Sequence, residues 1–214
     1  MRPPAVGRYT YVPRPFQAAN KTLLWYRSML LRYILRPTDE TVRMVEAERV
    51  KILPLTFLTE ANAKAVAIHV RMTDGGATGV TRLSARAFLK AARAVTGGTV
   101  KQALVVTDDY AHVKRAVANL PEAGGMSFSL LGEDLRRNTD STNKIMSYRK
   151  GTRDAQEDLH AAVLDLFLAA ACDYFVGQYQ SNFSRLIFEL IFARLGNAVW
   201  SQTKSLQGDW FVNP

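Results

Sequence analysis

Val66-Ala67-Ile68-His69-Val70-Arg71-Met72-Thr73-Asp74 is the stretch that decides the fold. An apolar run ends in a histidine, an arginine follows two positions later, and Thr-Asp leads into a glycine-rich loop. At the carboxyl end of a parallel strand, that order delivers a fixed cation to a ligand crevice. Arginine suits a diphosphate because its planar fork donates two parallel hydrogen bonds and cannot lose its charge. A phosphate-bearing ligand is the first expectation.

Outward from this run the chain alternates. Strands are expected at Ala65–Val70, Ala103–Thr107, Ser127–Leu131, Tyr174–Val176 and Ala198–Trp200, with helices near Ser84–Val95, Tyr110–Leu120, Asp154–Ala171 and Ser181–Leu195. Short apolar strands separated by helices imply an α/β domain, a parallel sheet with helices on both faces. Upstream, residues 20–36 carry a helical pattern that Arg36-Pro37 breaks, and Thr38 can cap a second helix reaching about Val50. Residues 1–19 hold Pro3, Pro4, Pro13 and Pro15 with three arginines and read as an extended arm. The expected organisation is therefore an arm at 1–19, a helical lead-in at 20–62 and a nucleotide-binding α/β domain at 63–214. The polar segment from Gly132 to Gly151 is expected to be a loop near the ligand.

Composition narrows the function classes. With 214 residues the chain suits one α/β domain, and 48% hydrophobic residues supply a core. A net charge of +9 favours anionic partners. The basic residues are scattered without the contiguous, aromatic-laced surface that nucleic acid requires, so nucleic acid is not the expected partner. Cys172 is the only cysteine, which excludes an internal disulfide and a cysteine metal cluster. His69, His112 and His160 lack ligand spacing, and no metal is expected. The most apolar stretch, Leu23 to Leu35, is too short and too interrupted by Arg27 and Arg32 to span a membrane, and a signal-peptide core is lacking.

Four pieces agree in order and spacing with a known family. They are His69-Val-Arg71-Met-Thr73-Asp74, Val105-Val-Thr107-Asp108-Asp109, Val163-Leu-Asp165, and Tyr174-Phe-Val-Gly-Gln-Tyr-Gln-Ser181-Asn-Phe-Ser-Arg185. Together they resemble the α1,6-fucosyltransferases, which include the enzymes of N-glycan core fucosylation and the bacterial nodulation enzymes. Leu30-Leu-Arg-Tyr-Ile-Leu-Arg36-Pro37 is similar to the helix leading into that family's donor domain. The resemblance covers roughly residues 20–200. It implies a Rossmann-like half of a GT-B glycosyltransferase with GDP-fucose as donor substrate, inverting chemistry without a metal, an acceptor of the N-glycan or chitooligosaccharide type, and a Golgi location. Membrane association would come only through segments outside this sequence.

Each candidate residue has a plainer alternative. Arg71 is the expected catalytic cation, because departure of GDP builds charge on the β-phosphate; its alternative is a surface arginine after a strand. His69 lies two positions earlier, on the same face of an extended segment, and the resemblance implies that it contacts the nucleotide; a lone histidine is otherwise structural. Asp108 and Asp109 end the second strand, and Asp109 is expected to cap the following helix, with a donor-binding role for either implied by the family. Asp165 falls off the stripe of Leu159, Val163, Leu166 and Ala170 and so reads as solvated; the resemblance alone implies recognition of guanine. Ser181 opens the last long helix and is expected to face an anion, to act as a simple N-cap, or both. Arg185 and Glu189, four apart, read as a surface pair.

The sequence departs from the family where the chemistry is expected. Met72 stands in place of a second arginine, Gly75 in place of a lysine, and Gly79 in place of the glutamate that is the candidate general base. Asp74 is the nearest carboxylate left for that role. Only about 60 residues precede the first strand, so the acceptor domain of a GT-B enzyme is missing, and the chain reads as a fragment, a truncated product or a donor-binding relic. Two functions stay open: the GDP-fucose-binding domain of a fucosyltransferase-like enzyme, and a module that binds GDP or a GDP-sugar without transferring it.

Overall fold

The computed structural model describes residues 12–19, 21–52, 64–71, 83–119, 125–130 and 155–208. Five parallel strands form one sheet: β1 (Ala65–Val70), β2 (Gln102–Thr107), β3 (Ser127–Leu130), β4 (Tyr174–Gly177) and β5 (Thr203–Ser205), in the order β3-β2-β1-β4-β5. Helices α1 (Arg14–Ala18), α2 (Leu23–Ile34), α3 (Asp39–Ile52), α4 (Ala85–Thr96), α5 (Tyr110–Ala118), α6 (Ala155–Ala171), α7 (Asn182–Leu195) and α8 (Val199–Gln202) surround it. The protein is an α/β domain of Rossmann-like type.

Strand alternation builds both cores. Ala65, Ala67, Leu104, Val106 and Phe175 face a layer of α2, α3, α6 and α7, while Val66, Ile68, Val70, Val105 and Val176 face α4 and α5. All six residues of β1 are buried, as a central strand covered on both faces must be. The chain steps outward from β1 through β2 to β3, then returns to the other side of β1 for β4 and β5. The strand order therefore reverses between β1 and β4, and a crevice at that point is where open α/β sheets bind ligands. At the opposite end of the seam, Asp173 accepts the Ala65 N–H through Oδ2 and donates its own N–H to the Ala65 carbonyl, both at 3.1 Å, which sets the β1–β4 register.

Local signals explain the helix ends. Thr22 accepts the Trp25 N–H at 3.1 Å, Thr38 the Thr41 N–H at 3.2 Å and Ser84 the Ala87 N–H at 3.3 Å, each satisfying a donor that the first turn leaves over. α4 stops at Gly97, whose φ of 60° is left-handed backbone that glycine adopts without strain.

Two expectations change. Ala198–Trp200 is helical rather than extended, and the fifth strand is the next segment, Thr203–Ser205. A three-residue apolar run does not distinguish the two, and here it packs as a continuation of α7, with Trp200 against Phe188. Arg14–Ala18 forms one helical turn inside the expected arm, because Pro15 occupies the first turn, where a missing N–H costs nothing. Residues 1–11 of the arm and the Gly132–Gly151 segment lie outside the described residues. Among the described residues, no helix is long and apolar enough to cross a membrane.

Candidate functional site

The seam between β1 and β4 gathers polar groups at its carboxyl end. His69, 3% exposed, is turned toward α7 and meets the Ser184 hydroxyl through Nδ1 at 2.6 Å, with Phe183 against its ring at 5.2 Å. Arg71 follows as the strand ends. Its backbone N–H donates to Oε1 of Gln178 at 3.0 Å, and its Nε pairs with Oδ2 of Asp108 at 3.2 Å. The Arg71 and Asp108 side chains are 28% and 10% exposed, so the pair is partly withdrawn from solvent and feels less screening than a surface pair. Asp108 reaches Arg71 because β2 runs beside β1 in register, Val70 opposite Thr107.

α7 closes the other side. Ser181, 7% exposed, occupies its N-cap position in extended backbone but makes no side-chain cap hydrogen bond. The simple-cap alternative for its hydroxyl is thereby corrected; the turn is held through the backbone, where the Ser181 N–H donates to the Gln178 carbonyl at 2.8 Å. The first-turn N–H groups of α7 lack intrahelical acceptors and carry the positive end of the helix dipole. A close approach of β4 to α7 makes this packing possible. A Cβ on Gly177 would sit 2.6 Å from the Phe175 ring and 2.8 Å from Ser184 Oγ, so only glycine fits.

The remaining candidates fall elsewhere. Asp109 caps α5, accepting the His112 N–H at 3.1 Å, as its plainer alternative held. Asp165 is 3% exposed rather than solvated, on the inner side of α6 with Leu164, Leu166 and Leu168, while Leu159 of the expected stripe is 65% exposed. α6 packs against the sheet and against α3 and α7, so it is apolar around most of its circumference and periodicity gives no usable face. Glu189 is also buried, at 3%, and pairs with Arg27 of α2 at 3.1 Å, which corrects the expectation that Glu189 and Arg185 lie on the surface. Arg185 turns its Nε to the Tyr179 carbonyl and its guanidinium to Asn182. Burial, then the nearby Arg27 charge, pull the Arg185 pKa below its ordinary value, with Glu189 opposing them. Asp74, Met72, Gly75 and Gly79 lie outside the described residues.

Gln178, Ser184 and Gln207 were not singled out as site residues from the sequence. The one available signal was position: Gln178 directly follows an apolar strand within the Tyr174–Arg185 motif. An apolar cavity of about 60 Å³ between α4 and α5, lined mainly by residues such as Ile68, Val70, Phe88, Val113 and Phe128, offers little for recognising an anion. The polar candidate remains the carboxyl end of the β1–β4 seam, where Arg71 pairs with Asp108, His69 meets Ser184, and Ser181 opens α7. No family model matches the chain, and no curated protein shows significant similarity to it.

Proposed function

We propose that this chain is the GDP-fucose-binding domain of an α1,6-fucosyltransferase-like glycosyltransferase, transferring fucose to an N-acetylglucosamine-containing glycan of the N-glycan or chitooligosaccharide type. The observation that carries the proposal is the position of Arg71. It leaves the sheet at the reversal of strand order, beside buried His69 and opposite the start of α7. A diphosphate in that crevice would meet the Arg71 fork on one side and the α7 N–H groups on the other. As the bond from fucose to GDP breaks, charge grows on the β-phosphate, and a cation already fixed in place stabilises the transition state more than the ground state. Asp74 is proposed to accept the proton of the attacking hydroxyl, while the 3% exposure of Asp165 argues against the guanine contact that the resemblance implies for it. The resemblance extends the proposal to a Golgi location.

Glycine at positions 75 and 79 favours a second reading, a module that binds GDP or a GDP-sugar without transfer. Calorimetric titration with GDP and with ATP tests the shared part. GDP is expected to bind in preference to ATP, and Arg71→Ala is expected to weaken GDP binding by about ten- to a hundredfold, the size of a hydrogen bond to a charged group. Failure of the intact chain to bind GDP at millimolar concentration would sink both readings. Fucose transfer to a chitooligosaccharide acceptor then separates enzyme from module.

A further inference from the structure

We infer that Gln178 is the positioning residue of the seam site, holding both His69 and Arg71 at the carboxyl end of β1 in place without touching ligand itself. This rests on the reading of the β1–β4 crevice as the diphosphate site. Gln178 is fully buried and uses three polar groups at once. Its backbone N–H donates to Ser184 Oγ at 3.1 Å, and that hydroxyl in turn meets His69 Nδ1. Its side-chain Oε1 accepts the Arg71 N–H at 3.0 Å. Its Nε2 donates to Oε1 of Gln207 at 3.0 Å. His69 and Arg71 are thus tied to one residue, His69 through a hydroxyl and Arg71 directly.

Only a primary amide of this length meets both side-chain demands. A carboxylate accepts from Arg71 but cannot donate to Gln207, and an apolar side chain does neither. The Gln207 end is itself anchored. Leu206 N–H donates to the Gly177 carbonyl at 2.9 Å, Tyr179 N–H to Ser205 Oγ at 3.2 Å, and Gln207 N–H to Ser205 Oγ at 3.3 Å. The turn after β5 therefore backs the turn after β4, and Gln178 transmits that support to Arg71. Arg71 lies where β1 leaves the sheet, so its guanidinium direction depends on how its own amide is held. A cation displaced by about 1 Å loses much of its value to a transition state.

The test compares Gln178→Met, Gln178→Glu and Gln207→Met in the full chain. Amide hydrogen exchange reads Arg71 against Val66, Ala67 and Ile68, and calorimetry reads GDP and inorganic pyrophosphate. In Gln178→Met the Arg71 amide is expected to lose about tenfold in protection, the size of one hydrogen bond, while the three strand amides keep theirs. GDP and pyrophosphate are expected to weaken by a similar factor to each other. Gln178→Glu keeps the acceptor but loses the link to Gln207, and is expected to restore the Arg71 protection only to the level of Gln207→Met. Gln207→Met, at a partly exposed position, is expected to give the smaller loss of about threefold, and it decides the matter if Gln178→Met does not fold. Unchanged Arg71 protection in the methionine variants overturns the inference, and so does lost protection with unchanged pyrophosphate affinity. If the unaltered chain binds neither ligand, the functional reading falls, and the exchange result alone decides whether Gln178 holds Arg71.

Discussion

Arg71 and Cys172 mark two ends of what a single side chain can do in this fold. Arg71 stands at a strand end with its Nε paired to Asp108. Cys172 is buried, and burial first, then the Asp173 carboxylate, push its thiol up to about 12 from an ordinary 9.0. The folded chain therefore holds a proton that the unfolded chain releases above about pH 9, so the associated stability is intact below that pH and is lost as the pH rises toward 12. Urea unfolding of wild type and Cys172→Ala at several pH values from 8 to 10 is expected to show the extra loss in wild type alone. Its slope approaches roughly 1.4 kcal/mol per pH unit. Parallel pH profiles for the two proteins would refute that account. At this scale much of the seam was legible. His69, Arg71 and Ser181 stand out because a strand end and a helix start are visible in the pattern. Gln178 and Ser184 were not, because a hydrogen bond between residues far apart in sequence leaves no periodic trace.

Among the elements, β4 and α7 make a tight contact. Their approach depends on Gly177, since an added methyl would lie within 2.9 Å of the Phe175 ring and within 2.8 Å of Ser184 Oγ. Gly177→Ala is expected to cost about 1–3 kcal/mol, the usual range for overpacking. Denaturant titration checks the cost, and a variant as stable as wild type would show that α7 can move away freely. The Arg27–Glu189 pair makes a related point about α2 and α7. Glu189 is 4% exposed in its side chain and Arg27 34%, so Arg27→Ala leaves a buried carboxylate short of one partner. Its cost is expected to exceed the roughly 0–1 kcal/mol of an exposed pair, yet stay below the 3–5 kcal/mol of a fully buried one, because Arg185 lies close enough to compensate in part. The same measurement decides it. The elements themselves were largely readable: β1 occupies its expected residues, and α4, α5, α6 and α7 begin within a residue or so of the expected starts. Failure came where periodicity has no power, in the three-residue run at Ala198–Trp200 and on α6, whose apolar surface extends beyond one stripe.

For the whole molecule, the pattern of helices and strands made a doubly covered parallel sheet legible, whereas apolar strands do not themselves name their neighbours. The position of β4 beside β1, rather than beyond β3, is a property of the assembled fold. That arrangement also orders events in time. β1 and β2 lie near each other in sequence, with α4 between them, whereas Arg71 and Gln178 meet across 107 positions of chain. Closing so long a loop is entropically costly, so the β1–β4 seam is expected to form after the β1–β2 pair. A ligand gripped across a late-formed seam stabilises contacts that the folding transition state does not yet contain. Stopped-flow unfolding with GDP present at about a hundredfold excess over its Kd is expected to slow by up to about a hundredfold, while the refolding rate stays unchanged. Faster refolding with an unaltered unfolding rate would place the seam in the nucleus instead. Slower unfolding at an unchanged refolding rate would make nucleotide a latch on an already folded chain, lengthening its lifetime without helping it to form.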